Sequence, residues 1–273
     1  QSIRKYLDCI NWCKRKTFFI LNQISQICSY FYPMKNISIL IIFISCFLIS
    51  TESVAQGDEK GVKYIYKRGD FNGIGKWYMG REIAYVMGFQ GINWLERSER
   101  EKEEDVSTLI KNMKIKSDDT IADIGAGSGY HVFKMAPLAE NGLVYAVDIQ
   151  PEMLNAIELK NKSTGILNVE TILGSEKSIN LPKHSLDKIL LVDVYHEFSY
   201  PVEMIESIKN ALKPNGLLFL IEYRGEDSNV PIKKIHKMTE RQSVLEMKAA
   251  GLKLKENIDN LPWQHCMIFE KNQ

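Results

Sequence analysis

The sequence predicts an α/β fold in which a mostly parallel sheet is covered by helices on both faces. Three observations lead to it. Beyond Lys116, short apolar runs alternate with helical stretches. One of these runs, Thr120 to Ile124, passes directly into the glycine-rich turn Gly125-Ala126-Gly127-Ser128-Gly129. The next run, Leu143 to Val147, ends in an acid, Asp148.

Taken in order, residues 1–33 begin with Gln, show no clear periodicity and hold three cysteines, Cys9, Cys13 and Cys28; they read as an over-extended or disordered N-terminus. Residues 34–55 have the layout of a bacterial export signal or a membrane anchor. A short basic start at Lys35 precedes the apolar run Ile37 to Ile49, and Ser53-Val54-Ala55 resembles a small-x-small cleavage site. That run is shorter than the roughly 20 residues a spanning helix needs. Residues 56–76 are polar and read as a linker. From Trp77 the spacing of Ile83, Val86 and Met87 predicts a helical segment over 77–116, and the domain continues to residue 273. The charged stretch Ser98 to Glu104 reads as a solvated helix face, although its arginines and glutamates are denser than such a face needs.

Helices are expected over Tyr130 to Leu138, Pro151 to Lys162 with Pro151 in the first turn, Pro201 to Leu212, and Thr239 to Ala250 before Gly251. Strands are expected over Val169 to Leu173, Leu186 to Val192, Leu217 to Ile221, Leu252 to Lys255 and Cys266 to Phe269. The composition is that of an ordinary globular chain, with 45% hydrophobic and 25% charged residues and a net charge of +1. No basic tract interleaved with aromatics suggests a nucleic-acid surface. From Gln56 onward the only cysteine is Cys266, so this part of the chain can form no internal disulfide.

In the glycine turn, absent side chains permit a tight bend and close approach of a ligand. A dinucleotide site would need Gly-x-Gly-x-x-Gly, and Tyr130 stands where the last glycine belongs, which argues against NAD and a nicotinamide-dependent oxidoreductase. Asp123, two residues before Gly125, can instead hold the cationic amino group of an amino-acid moiety. Asp148 can accept hydrogen bonds from both ribose hydroxyls.

Asp123, Gly125, Gly127, Gly129 and Asp148, with Ala126 and Ile149 beside them, resemble the nucleotide-binding half of class I S-adenosylmethionine-dependent methyltransferases. The resemblance extends over roughly Met79 to Phe269. It includes Asp193 after the fourth strand and Lys213-Pro214-Asn215-Gly216, similar to that family's Lys-Pro-Gly-Gly turn. Gly80-Arg81-Glu82-Ile83-Ala84 and Trp94-Leu95-Glu96-Arg97 look like a group of predicted bacterial methyltransferase-domain proteins. The resemblance implies a Rossmann-like class I methyltransferase fold with a seven-stranded sheet and an N-terminal helical lid, S-adenosyl-L-methionine as cofactor, and Ser175 and Glu176 near adenine.

Methyl transfer from a sulfonium is an in-line displacement, so the protein aligns donor and acceptor and, for a protic acceptor, supplies a base. Tyr195, His196 and Glu197 follow the fourth strand, where such folds place acceptor-facing groups. His196 is a candidate base, or else a cap of the following helix, and Glu197 has the same two roles open. Glu222 and Arg224 share a face and read either as a pair across the pocket mouth or as an anchor for a loop. Arg81, Glu82, Trp94, Arg97 and His236 are candidate lid or substrate residues. The spacing of the five histidines shows no metal-ligand pattern, and no metal is expected. The expected function is methyl transfer to an unidentified acceptor, with a small molecule favoured and no nucleic acid expected. The alternatives are a non-catalytic S-adenosylmethionine-binding protein or a protein carboxyl methyltransferase. The leader places the domain outside the cytosol or at the membrane, and in the cytoplasm if that leader does not function. Because the donor is made in the cytosol, export would require a supply of it.

Overall fold

In the computed structural model, residues 56–57 and 63–272 are described, so the expectations for residues 1–55 lie outside the described residues. The chain from Gln56 opens with a small antiparallel sheet of four strands in the order β1-β2-β3-β4: β1 Gln56–Gly57, β2 Lys63–Tyr66, β3 Gly73–Tyr78 and β4 Arg81–Ala84. This corrects both the linker expected over 56–76 and the helix expected from Trp77. Tyr78 pairs with Arg81 across Met79 and Gly80, whose φ values are 46° and 94°. Two successive positive-φ residues are what a tight hairpin needs to match the twist of its strands. The spacing of Ile83, Val86 and Met87 imitates a helical stripe, but the turn decides the pairing.

Tyr64, Tyr78 and Ile83 form the core of this small sheet, with Ile74, Tyr200 and Val202 packed against them. The Tyr64 hydroxyl donates to Glu203 at 2.7 Å. Three short helices follow: α1 Ile92–Leu95, α2 Arg100–Glu104 and α3 Val106–Asn112.

The main sheet has seven strands: β5 Thr120–Ile124, β6 Leu143–Asp148, β7 Val169–Leu173, β8 Leu186–Val192, β9 Leu212–Tyr223, β10 Leu252–Asn257 and β11 Gln264–Lys271. Their order is β10-β11-β9-β8-β5-β6-β7. β7, β6, β5, β8 and β9 run parallel, and β11 pairs antiparallel with both β9 and β10. The helices between them are α4 Val132–Met135, α5 Pro151–Thr164, α6 Pro201–Ala211 and α7 Glu240–Ala249. α4 is one turn where a longer helix over Tyr130 to Leu138 is expected. β9 begins five residues earlier than Leu217, taking in the Lys-Pro-Asn-Gly segment.

Burial on both faces explains why these strands lack a polar face. In β9, Phe219 and Ile221 enter a core shared with α3, α4 and α5, while Leu218 and Leu220 enter a second core shared with α6 and α7. Leu190 of β8 joins the first core and Ile189 and Leu191 the second.

The small sheet is tied to the second face through Arg81. Its guanidinium donates from Nε to Glu246 Oε1 at 2.6 Å and from Nη2 to Glu246 Oε2 at 3.0 Å, and the same carboxylate accepts the Tyr195 hydroxyl at 2.7 Å. Removing one member of such a pair leaves a buried charge without compensation. We predict that Arg81→Ala lowers the unfolding free energy by about 3–5 kcal/mol in urea titrations. A loss comparable to an exposed ion pair, about 0–1 kcal/mol, would show that the small sheet is not fastened here.

Candidate active site

The glycine turn begins where β5 ends and is held from the side by β6. Gly125 N and Ala126 N both donate to Val147 O, at 2.8 and 3.0 Å. Gly127 N donates to Asp148 Oδ2 at 3.0 Å, and Gln150 N donates to Asp148 Oδ1 at 2.9 Å. Gly125 and Gly127 take φ of 73° and 54°, and a Cβ on them would lie 2.5 Å from Val194 and 2.6 Å from Leu95. Backbone freedom and close packing therefore both demand glycine at these two positions.

Several buried polar atoms around this turn have no partner within the protein: Asp123 Oδ2, Ser128 Oγ and Asp193 Oδ1. Burial pushes the Asp123 carboxyl up to about 7, opposed in part by Arg100. Asp193 holds a φ of 50°, a conformation that a short acid tolerates, and its other oxygen accepts from Gln264 Nε2 at 2.6 Å. Its carboxyl is raised well above the usual range by burial and by the nearby Glu104 and Glu222. Buried acceptors left over in this way ask for a ligand that brings cationic or hydroxyl donors. The amino group and ribose of S-adenosylmethionine bring such donors, whereas a pyrophosphate brings negative charge and acceptors. The two Asp148 oxygens each retain a lone pair after their backbone bonds, enough for two ribose hydroxyls. Beside them, Ile149 is 40% exposed and offers an apolar surface. The residues present thus fit the cofactor that Asp123 and Asp148 imply.

The segment before β5 closes over this turn. Leu95, at the end of α1, packs on Gly127. Gln150 accepts from Phe89 N at 2.8 Å and donates to Met87 O at 3.0 Å, so the residue after Ile149 clips the segment to the sheet. The charged stretch Ser98 to Glu104 is not simply a solvated face. Arg100 and Glu104 are buried, Arg100 Nε donates to Glu104 at 2.7 Å, and Tyr223 donates its hydroxyl to Glu104 at 2.8 Å. Arg97 bonds both Glu103 and Glu104 and stacks on Trp94 with its guanidinium carbon 3.8 Å from the ring. The sequence alone does not point to Arg100, Glu104, Gln150, Tyr223 and Gln264, because what gathers them here are tertiary contacts such as Tyr223 with Glu104 and Gln264 with Asp193.

On the other side of the β8 end, a short 3-10 turn, Tyr195–Glu197, carries the expected acceptor-side residues. Tyr195 turns into the core with its hydroxyl on Glu246, which corrects its candidacy as a catalytic group. His196 is buried, and its Nδ1 lies 2.7 Å from Glu222 Oε2 while its Nε2 lies 3.2 Å from His236 Nδ1. Burial disfavours the charged imidazole, yet Glu222 and Glu197 outweigh it and raise the His196 pKa. His236, by contrast, is pushed down to about 4 by burial and by His196. Burial pushes Glu197 up to about 7 against the pull of His196 and a bond from Met87 N at 3.2 Å. His236 also lines an open cleft of about 460 Å³ together with Phe71, Asn72, Tyr85, Val86 and Met87.

Glu222 and Arg224 do not pair. Glu222 belongs to His196, while Arg224 bonds Asp259 at 2.7 Å and Leu261 O at 3.1 Å and so anchors a loop. Glu82 is also committed elsewhere: it accepts from Asp70 N at 2.7 Å and Gly75 N at 3.0 Å within the small sheet. Arg81 is bound by Glu246, as described above. Ser175 and Glu176 sit on an exposed turn after β7, where Ser175 N donates to Ser178 O at 2.8 Å.

A doubly covered sheet in this order, with a glycine turn after its central strand β5 and an acid at the end of each neighbouring strand, Asp148 on β6 and Asp193 after β8, defines a class I S-adenosylmethionine-dependent methyltransferase domain. Residues 115–268, more than half of the chain, match the family model of the methyltransferase domain, and the chain belongs to that family. It is 33% identical over 117 residues to a protein-L-isoaspartate O-methyltransferase of Methanococcoides burtonii, covering 42% of this chain and 54% of that protein. It is 31% identical over 166 residues to a fibrillarin-like rRNA/tRNA 2′-O-methyltransferase of Methanocaldococcus jannaschii, covering 58% and 68%. The chain thus spans about half the length of the first of these relatives. Among solved structures, it is similar to an S-adenosylmethionine-dependent methyltransferase from Aquifex aeolicus, with a TM-score of 0.64 and 25% identity over 67% of this chain and 98% of that one.

The raised Asp123 pKa carries a stability prediction. Its folded value exceeds that of an unfolded aspartate, so the ligand-free protein loses stability from this group as pH rises from about 4 to beyond 7. Asp123→Asn removes that loss. We predict that the variant is more stable than the parent at pH 8, by on the order of 2–4 kcal/mol in urea titrations, and that it no longer binds S-adenosylhomocysteine. Lower stability of the variant at pH 8 would contradict the account of Asp123 as a desolvated, unpaired acid.

Proposed function

We propose that this protein transfers a methyl group from S-adenosylmethionine to a small-molecule acceptor seated in the cleft beside His236. The observation that carries this reading is the set of unpartnered buried carboxylate oxygens around the glycine turn, within hydrogen-bonding geometry of nothing in the protein itself. S-adenosylmethionine supplies an electrophilic methyl group on a sulfonium. Asp123 holds its amino group and Asp148 its ribose, and the α1 segment over Gly127 excludes water from the reacting side. The acceptor approaches from the cleft, whose apolar wall of Phe71, Tyr85, Val86 and Met87 and volume of about 460 Å³ suit a compact, partly apolar molecule. A net charge of +1 offers little attraction for a nucleic acid.

A second reading, methylation of a protein carboxyl group, draws on the 33% identity to an isoaspartate methyltransferase. The apolar stretch in residues 34–55 supports a site of action outside the cytosol or at a membrane surface. Among the described residues no helix is long and apolar enough to cross a membrane.

Calorimetric titration with S-adenosylhomocysteine tests the reading. We expect micromolar binding that weakens about 10- to 100-fold in Asp148→Ala, the loss of charge-assisted bonds worth roughly 1.5–3 kcal/mol. NAD is expected not to bind. Folded protein that binds neither compound would reject the methyltransferase reading. Radiolabel transfer to a panel of small alcohols, amines and carboxylic acids, with an isoaspartyl peptide alongside, separates the two acceptor classes.

A further inference from the structure

We propose that His196, His236 and Glu197 bind a divalent transition-metal ion at the inner wall of the acceptor cleft, with Glu222 orienting His196. The spacing of histidines in the sequence gives no hint of this, since the fold brings His236 across from a loop 40 positions away. Three donor atoms define the site. His196 Nε2 is 3.2 Å from His236 Nδ1, and Glu197 Oε1 is 3.9 Å from each of these nitrogens. Ligands at about 2.0–2.1 Å in a tetrahedral arrangement are separated by roughly 3.3–3.4 Å, so one edge of the triangle already fits and the other two close by a small carboxylate rotation. Two imidazoles and one carboxylate form a donor set suited to zinc and its first-row neighbours.

The surrounding chemistry points the same way. Glu222, fully buried, takes the Nδ1–H of His196 at 2.7 Å, which directs the lone pair of Nε2 toward His236. A carboxylate behind a ligating imidazole is the usual device for fixing its tautomer. Glu197 and Glu222 are both buried and both face the His196 ring, at 3.9 and 2.7 Å. Arg81 approaches His196 O at 3.2 Å, but its guanidinium is bound by Glu246. Lys233 donates to Asn72 at 2.9 Å, and Asp70 and Asp148 add negative charge nearby. A dication between the imidazoles would offset that charge. The competing arrangement is a proton shared between the two rings, which the same 3.2 Å separation accommodates.

Three protein ligands leave at least one coordination position, and His236 lines the cleft, so this position faces the space assigned to the acceptor. An acceptor carrying an oxygen or nitrogen donor would complete the coordination sphere. This last step rests on the methyl-transfer reading, whereas metal binding itself does not.

The test uses the full chain, with Zn2+ measured by competition against a chromophoric chelator and Co2+ by its visible absorption. The expected result is one tight Zn2+ site and a Co2+ spectrum of nitrogen and oxygen ligation without the intense thiolate charge-transfer band that the chain's cysteines would give. Glu222→Gln is expected to weaken binding about 10- to 100-fold. His236→Ala, at a partly exposed position outside the hydrophobic cores, is expected to abolish the site while the melting curve stays cooperative. The proposal is overturned if folded protein binds no metal, if His236→Ala binds Zn2+ as tightly as the parent, or if Co2+ shows thiolate ligation alone. S-adenosylhomocysteine titration after chelation keeps the two readings apart: retained cofactor binding with no metal site rejects only this inference.

Discussion

The site depends on the bond from Gly127 N to Asp148 Oδ2, 3.0 Å long and buried. It ties the turn leaving β5 to the end of β6, and with the two bonds to Val147 O it fixes a backbone that has positive φ at both Gly125 and Gly127. Parallel pairing of β5 and β6 brings the two carboxyl ends level, with Asp123 opposite Ala146 and Ile124 opposite Val147. From this one junction follow the aim of Asp148, the buried position of Asp123 and the surface on which Leu95 rests. Loss of any of the three would open the turn to water and end the isolation of the Asp123 carboxylate.

Around that junction the protein holds an unusual density of buried charge. Asp123, Asp193, Glu104 and Glu222 gather near the carboxyl ends of the central strands, with Arg97 and Arg100 supplying the opposite sign. Such clusters contribute little net stability, because desolvation offsets most of the Coulomb attraction. Their value here is positional: the arginine and glutamate network fastens α1 and α2 over the glycine turn, and the unpaired oxygens of Asp123 and Asp193 remain available to a ligand. Stability is drawn instead from the two apolar faces of the sheet, where strands such as β8 and β9 alternate between the two cores.

Much of the fold is legible in the sequence because its information is local. The strand from Thr120, the turn from Gly125 and the acid at Asp148 are consecutive, and the alternation beyond Lys116 predicts the parallel core and its helices. The small sheet is hidden for the opposite reason. Its strands are only two to six residues long, and Ile83, Val86 and Met87 happen to carry helical spacing. The dipeptide of Met79 and Gly80 marks the hairpin but weighs less than the stripe when read alone. The acceptor side is legible only in part. His196 and Glu197 are adjacent and visible, whereas Glu222 as the partner of His196, Glu246 as the sink for Arg81 and Tyr195, and His236 as the second imidazole are set by tertiary contacts. The charged stretch around Arg97 and Arg100 shows the same limit: its composition suits a solvated face, and only Tyr223 and Glu104, 119 positions apart, reveal that it is buried.

The most direct test of the central claim is hydrogen–deuterium exchange of the full chain with and without S-adenosylhomocysteine. The account predicts slowed exchange in three separated peptides at once: the turn around Gly125 to Gly129, the end of β6 through Gln150, and the segment from Phe89 to Arg97 that rests on Gly127. Protection confined to another part of the surface, or ligand binding that leaves the Gly127 and Gln150 amides unchanged, would contradict it.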